Sequence, residues 1–150
     1  MKQYLFLFFL SMVPVIELRG AVPLGMGWGL PFWSVFAVSV IGNLLPVPFL
    51  VTFAGRVLRW GASLPKIGSL FQWVLDRGER KAASITGALL IGLYLFVAIP
   101  LPGTGAWTGS LVAAVLGLPV RRSFWPIAAG VVTAGLIMGI GSYGVLSLVF

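Results

Sequence analysis

Only two charged residues occur between positions 3 and 55, and they stand two positions apart. Glu17 and Arg19 lie in the segment Pro14–Pro23, with apolar sequence on both sides. Each charge costs roughly 2.5–3.5 kcal/mol at the centre of a membrane helix. The prolines interrupt continuous helix and free backbone groups nearby. Broken backbone beside buried charge is typical of a transporter binding site. The alternative is a proline-kinked turn at the membrane surface, with both charges in water.

Composition indicates an integral membrane protein. Hydrophobic residues make up 59% of the chain, charged residues 9%, and the mean hydropathy is +1.08. The sequence has no Cys, no His and three acids, which excludes disulfides, Cys/His metal sites and imidazole relays. We therefore expect no enzyme, no metal and no cofactor. The net charge of +7 indicates anionic lipid head groups as partners, and not nucleic acid.

The 150 residues form one membrane domain, whose first half is residues 1–55. That half holds two short apolar arms and a longer apolar segment: Tyr4–Ile16, Ala21–Leu30 and Phe32–Gly55. Because a span needs about 20 residues, the arms predict a hairpin, bent at Glu17–Gly20, that re-enters the membrane or barely spans it. The longer segment predicts a crossing. Near its end, beside two prolines, Asn43 is a candidate site residue, although an ordinary kink explains this stretch equally well.

Residues 56–81 predict a cytoplasmic connector, because they hold six of the ten basic residues. Apolar residues recur there with the period of a helix: Ile67, Leu70, Phe71, Val74 and Leu75. This pattern predicts an amphipathic helix on the membrane surface, entered through Pro65. Arg121 and Arg122 fall on the same cytoplasmic side.

The second half, residues 82–150, repeats the first. With an offset of 88 residues, nine of the 39 positions from Leu5 to Asn43 are identical, including Gly-Leu-Pro at 29–31 and 117–119. Each half is a hairpin followed by a crossing, and so crosses the membrane an odd number of times. The fold class predicted is therefore all-α, an inverted repeat of two re-entrant or short-armed hairpins, each followed by a membrane-spanning helix.

Pseudo-symmetry brings Glu17 and Arg19 towards the second break, Pro100–Gly109. A helix starting near Ala106 would offer free N–H groups to an anion, either Glu17 itself or a substrate phosphate. The candidate substrate- or ion-binding residues are Glu17, Arg19, Asn43, Pro102, Gly103, Thr104, Gly105 and Thr108.

Glycines in the last helix predict a homodimer. Gly135 and Gly139 have the G-x-x-x-G spacing that lets membrane helices approach closely. We expect the two copies to meet through Gly130–Gly144.

Three runs resemble a known family: MVPVIELRGAVPLG, IGNLLPVPF and IPLPGTGAWTG. They are similar to the small multi-drug export proteins of bacteria and archaea, which are distantly similar to the DedA superfamily. The resemblance implies a multi-pass protein of the prokaryotic cell membrane with two inverted re-entrant hairpins. DedA-like proteins are associated with proton-dependent transport and with moving phospholipids or undecaprenyl phosphate.

Two functions are in competition. In the first, the protein is a proton-coupled secondary transporter that moves a polyprenyl phosphate, a phospholipid or small drugs. Glu17 would carry the proton, because removal from water favours a neutral carboxyl group, and Arg19 would bind the substrate's anionic group. In the alternative, the protein is a membrane scaffold or lipid-organising protein, and Glu17 and Arg19 are a structural pair.

Overall fold

The structure is a computed structural model that describes residues 1–84 and 86–149, and its regular elements there are all α-helices. Their bounds are α1 Lys2–Met12, α2 Glu17–Gly27, α3 Phe32–Leu44, α4 Val47–Ala62, α5 Gly68–Ser84, α6 Thr86–Ala98, α7 Ala106–Val115 and α8 Val120–Val149. The predicted all-α class is confirmed. Ile85 and Phe150, both in the predicted second half, lie outside the described residues.

Two helical stretches are long and apolar enough to cross a membrane. Phe32–Ala62 has a mean hydropathy of 2.0 and comprises α3 and α4, and Val120–Val145 has 1.7. The first stretch runs beyond the predicted limit at Gly55, because no proline occurs between Gly55 and Pro65. The predicted connector therefore begins inside a helix. The two stretches fit a multi-pass membrane protein.

The first hairpin bends earlier than its sequence predicted. The chain leaves helical structure after Met12 and re-enters it at Glu17, so the turn is Val13–Ile16. The predicted bend at Glu17–Gly20 is wrong, since those residues form the first turn of α2. The physical reason is Pro14, which lacks a backbone N–H and ends helical pairing at the C-terminus of α1.

The same order of elements occurs twice: α1, α2 and α3 correspond to α6, α7 and α8. The Gly-Leu-Pro turns before α3 and α8 share one geometry. Gly29 and Gly117 have φ of 73° and 65°, and the N–H groups of Leu30 and Leu118 each bond to the carbonyl five residues earlier. Both are Schellman caps, for which a left-handed glycine is favourable. The opposite orientation of the two halves in a membrane stays a prediction.

The glycines of α8 pack against the protein's own α3. A Cβ atom at Gly135 would lie 2.7 Å from the ring of Phe36, and one at Gly139 would collide with the ring of Phe32. The predicted dimer face is therefore wrong at these two residues, because helix α3 of the same chain already packs closely against them. Dimerisation itself stays a prediction.

The predicted amphipathic helix is present as α5, which begins three residues after Pro65. Gln72 ties it to α4 through a hydrogen bond from Nε2 to the carbonyl oxygen of Ala62, at 3.1 Å. Ile67 and Leu70, two residues of the predicted apolar pattern, are 48% and 61% exposed. An apolar side left exposed in this way suits a membrane surface.

Candidate functional site

The Glu17 carboxylate lies at the N-terminus of α7. Glu17 is only 3% exposed, and its Oε1 accepts a hydrogen bond of 3.2 Å from the backbone N–H of Trp107. Helix N-termini have unpaired N–H groups and a partial positive charge, which favour a carboxylate. The two breaks therefore meet, as the repeat predicted. Of the two anions expected at this helix end, Glu17 itself occupies it.

The backbone of Glu17 is in the left-handed region, with φ of 51°. This conformation is uncommon for a residue with a side chain, and such a residue costs of order 1–3 kcal/mol. The surrounding contacts hold it there, because the Glu17 N–H donates to the carbonyl oxygen of Val13 at 2.9 Å. The turn thereby directs the side chain of Glu17 towards α7.

Arg19 lies at the opposite side of the second break, where α6 ends. Its guanidinium donates to the carbonyl oxygens of Leu101 and Ile99, the latter at 3.2 Å, and to Thr104 Oγ1 at 2.8 Å. A longer contact of 3.4 Å reaches the carbonyl oxygen of Val97. The last carbonyls of a helix lack partners and carry partial negative charge, so a cation is favourable there. All four acceptors are uncharged.

Glu17 and Arg19 thus bond to the two sides of the second break rather than to each other. The acid bonds to the beginning of α7, and the base to the end of α6 and the loop after it. Positions i and i+2 of a helix point in different directions, which explains the separation. Each charge complements one end of the interrupted helix pair.

Gly105 makes the close contact with Glu17 possible. Its φ of 135° favours glycine, and a Cβ atom at this position would collide with the Glu17 carboxylate. Two residues after Gly105, the indole N–H of Trp107 donates to the carbonyl oxygen of Met12 at 2.9 Å. This bond joins the start of α7 to the end of α1.

A cleft of about 480 Å³ opens beside these groups. Six of the eight candidate residues line it: Glu17, Arg19, Pro102, Gly103, Thr104 and Thr108. The other lining residues are Pro14, Val15, Pro100 and Leu101. A seventh candidate, Gly105, does not line the cleft but lies against the Glu17 carboxylate. The cleft has the size of a small-molecule site, with two charged groups and two hydroxyls in mostly apolar walls.

Asn43 does not line the cleft. It is 1% exposed, and its amide nitrogen and oxygen have no hydrogen-bond partner among the described residues. The hydroxyl of Ser39, one helical turn earlier and not among the predicted site residues, also has no hydrogen-bond partner among the described residues. The placement of Asn43 in the cleft is corrected, because α3 directs its side chain into the protein interior.

Trp107 and the carbonyl groups that bind Arg19 were not among the residues predicted from the sequence. Trp107 aligns with Arg19 in the repeat, and this correspondence could have identified it. The carbonyl acceptors could not be identified from residue types, since every residue has a backbone carbonyl group.

The family model described as "Putative small multi-drug export protein" matches residues 17–137. The match begins at Glu17, includes the second break and extends into α8. No curated protein matches the chain, and no solved structure matches it.

Proposed function

Because the chain belongs to the small multi-drug export family, we propose that it is a proton-coupled secondary transporter, which carries a proton and its substrate together. Its substrate would be an anionic, amphipathic molecule, with a polyprenyl phosphate or a phospholipid as the model compounds. The substrate's anionic group would bind in the cleft beside Arg19, and Glu17 would carry the proton. The single observation that carries the proposal is the cleft, which has one buried acid and one partly buried arginine in its walls.

The charges of the cleft suggest how proton and substrate would be coupled. While Glu17 is ionised, its negative charge balances that of Arg19, whose direct partners are neutral oxygens. Protonation of Glu17 removes that balance and leaves the cleft with one positive charge. An anion would then bind more tightly, and by linkage a bound anion would favour the protonated carboxyl group. The same charge disfavours a cationic drug.

The proton would also act on the contact between the two halves. The hydrogen bond from Trp107 to Glu17 is charge-assisted only while Glu17 is ionised. Protonation weakens it and reduces the attraction between Glu17 and the N-terminus of α7. We propose that this loosening lets the two hairpins move relative to each other, as alternating access requires.

In the membrane, we propose that both hairpins re-enter from opposite sides, with residues 56–81 and Arg121–Arg122 in the cytoplasm. The support is helix length: α1 and α2 have 11 residues each, or roughly 16 Å, about half of the hydrocarbon thickness. Cysteine scanning on this cysteine-free chain tests the topology. Single cysteines at positions 15 and 103 should react with small reagents and resist bulky ones. Free reaction with bulky reagents would contradict the re-entrant arrangement.

A second function, that of a membrane scaffold, has its own support. Both charges have partners at helix ends, which is how a purely structural clamp would use them. Under this proposal, loss of either charge would destabilise the fold, and the protein would carry no flux.

Reconstitution into liposomes distinguishes the two functions. Flux of a polyprenyl phosphate and of a cationic drug is measured with and without a pH gradient. We expect gradient-dependent movement of the anion, which is lost in Glu17→Gln and retained in Asp76→Asn, a matched change of an exposed acid on α5. Absence of flux for all substrates in a folded protein would favour the scaffold.

A further inference from the structure

A second cavity lies beside the Glu17 cleft and differs from it in chemistry. It has a volume of about 800 Å³, lies between the end of α1, the length of α4 and the start of α7, and is lined mainly by apolar residues. Arg56 is the one charged residue among those lining it, all of which the structure describes. We call this cavity the α4 groove. Its lining includes Met12, Pro46, Phe49, Phe53, Arg56 and Trp107.

The α4 groove has an apolar end and a cationic end. Pro46 and Arg56 are ten positions apart, which is roughly 15 Å along a helix. Trp107 is the second residue of α7. Ala114, near the other end of α7, lines a separate cavity with Arg59. The helices α4 and α7 therefore run in the same direction. It follows that Trp107 lies towards Pro46, at the end away from Arg56.

The groove is open on one side and has large apolar side chains there. Phe49 and Phe53 are 73% and 67% exposed. Its volume lies in the range of about 300–1,000 Å³ that is usual for ligand sites. A single arginine at the end of a long apolar channel complements a molecule that has one anionic group and a hydrocarbon chain.

We propose that the α4 groove binds an anionic amphiphile, with its phosphate-type head group on Arg56 and its hydrocarbon chain along α4 as far as Trp107. The guanidinium of arginine suits such a head group, because its fork of donors matches phosphate oxygens. This inference rests on the proposed function and extends it: the groove is a second, lateral binding site from which the substrate reaches the cleft.

Trp107 separates the groove from the cleft. Its side chain lines the groove, its indole N–H bonds to the Met12 carbonyl oxygen, and its backbone N–H bonds to Glu17. A hydrocarbon chain that displaces the indole from Met12 would connect the two cavities. The same residue would report the arrival of a chain, because indole fluorescence is quenched by bromine atoms nearby.

The test uses a variant in which Trp107 is the only tryptophan, the other five being replaced by Phe. It is titrated with brominated-chain amphiphiles of equal chain length with a phosphate, a trimethylammonium or a neutral sugar head group. We expect saturable quenching, with the phosphate effective at about tenfold lower concentration than the other two. In Arg56→Gln this preference should disappear, whereas Arg56→Lys should retain part of it. Arg59→Gln is the matched control, and should not change it.

Equal quenching by the three head groups, or quenching that never saturates, would overturn the proposal, because bulk lipid would then fill the groove. Equal effects of Arg56→Gln and Arg59→Gln would do the same. A second measurement needs no tryptophan replacement: the alkyl phosphate should raise the melting temperature of the natural chain and of Arg59→Gln, but not of Arg56→Gln. Saturable binding without flux in liposomes would contradict the proposed transport and leave the groove assignment standing. Flux without saturable binding in the groove would contradict the groove assignment and leave the proposed transport standing.

Discussion

The carboxylate of Glu17 accepts a hydrogen bond from the backbone N–H of Trp107, 90 positions later in the chain, at 3.2 Å. This bond places the acid of the first break at the N-terminus of the helix that follows the second. Arg19 bonds the opposite side of the same break. Measurements of stability and of flux distinguish the structural from the functional consequences of this arrangement.

Glu17→Gln should reduce stability moderately and abolish pH-driven flux. The amide oxygen can still accept from the Trp107 N–H, so the loss is that of the charge at a helix N-terminus, about 1–2 kcal/mol. Thermal unfolding in detergent and liposome flux measure the two effects. Asp76→Asn, on the exposed surface of α5, is the control. Normal gradient-driven flux in Glu17→Gln would contradict the role of Glu17 as proton carrier.

Neutralising Glu17 and Arg19 together should not restore stability. Each side chain has its own hydrogen-bond partners on a different side of the second break, so the hydrogen-bond losses should add. Only the Coulombic attraction between the two charges is shared by both single variants. A buried ion pair would behave differently, because losing one partner costs roughly 3–5 kcal/mol and losing both costs less. The measurement is a double-mutant cycle on melting temperature, with Glu17→Gln and Arg19→Gln. A double variant more stable than either single variant would show that the charges depend directly on each other.

Arg19→Lys should lower transport more than it lowers stability. The ammonium keeps the charge at the end of α6 but lacks the planar fork that reaches the carbonyls of Leu101 and Ile99 and the hydroxyl of Thr104. Initial rates of anion flux are compared with those of Arg77→Lys, an exposed site on α5 where arginine stacks on Trp73. Equal rates in both variants would remove Arg19 from the binding site.

Gly105→Ala should be more damaging than Gly103→Ala. Both glycines have positive φ, 135° and 81°, so each substitution introduces backbone strain of order 1–3 kcal/mol. Only at Gly105 would the new methyl group also collide with the Glu17 carboxylate; at Gly103 nothing lies within 4 Å. We expect a larger fall in melting temperature and a loss of flux for Gly105→Ala. Similar results at both positions would show that the contact with Glu17 contributes nothing.

Gly139→Ala should destabilise the monomer, whereas Gly141→Ala should be neutral or slightly stabilising. A methyl group at 139 meets the ring of Phe32, and overpacking costs typically 1–3 kcal/mol. At 141 it meets nothing within 4 Å, and alanine is the better helix former. Melting temperatures at several protein concentrations distinguish this from an effect on dimers. If Gly139→Ala lowered the melting temperature only at high protein concentration, Gly139 would lie in a dimer interface, as the sequence predicted.

Asn43→Leu should preserve or raise stability. The amide is 1% exposed and has no hydrogen-bond partner among the described residues, so leucine removes a desolvated polar group and breaks no bond. The matched control is Ser110→Ala, where the buried hydroxyl does donate, to the Ala106 carbonyl oxygen at 2.6 Å. Ser110→Ala should therefore cost about 1 kcal/mol. A large loss of stability in Asn43→Leu would reveal a partner for the amide.

Much of the site could be predicted from the sequence, because its signals are local. Two charges in an otherwise apolar segment identify Glu17 and Arg19, and prolines identify the breaks around them. The N-terminus of the second short helix, expected near Ala106, is there. Membrane class and α-helical structure follow from hydropathy, which depends on neighbouring residues alone.

The partners of these residues were decided by tertiary structure. Arg19 binds atoms 78 to 85 positions away, and most of them are backbone carbonyls whose position no side-chain pattern reports. Asn43 turns towards the interior instead of the cleft, because packing of α3 sets its direction. The spacing of Gly135 and Gly139 indicated close helix packing correctly, but Phe32 and Phe36 of the same chain fill the space. A sequence pattern specifies that a surface must be covered, and only the packed fold determines which part of the chain covers it.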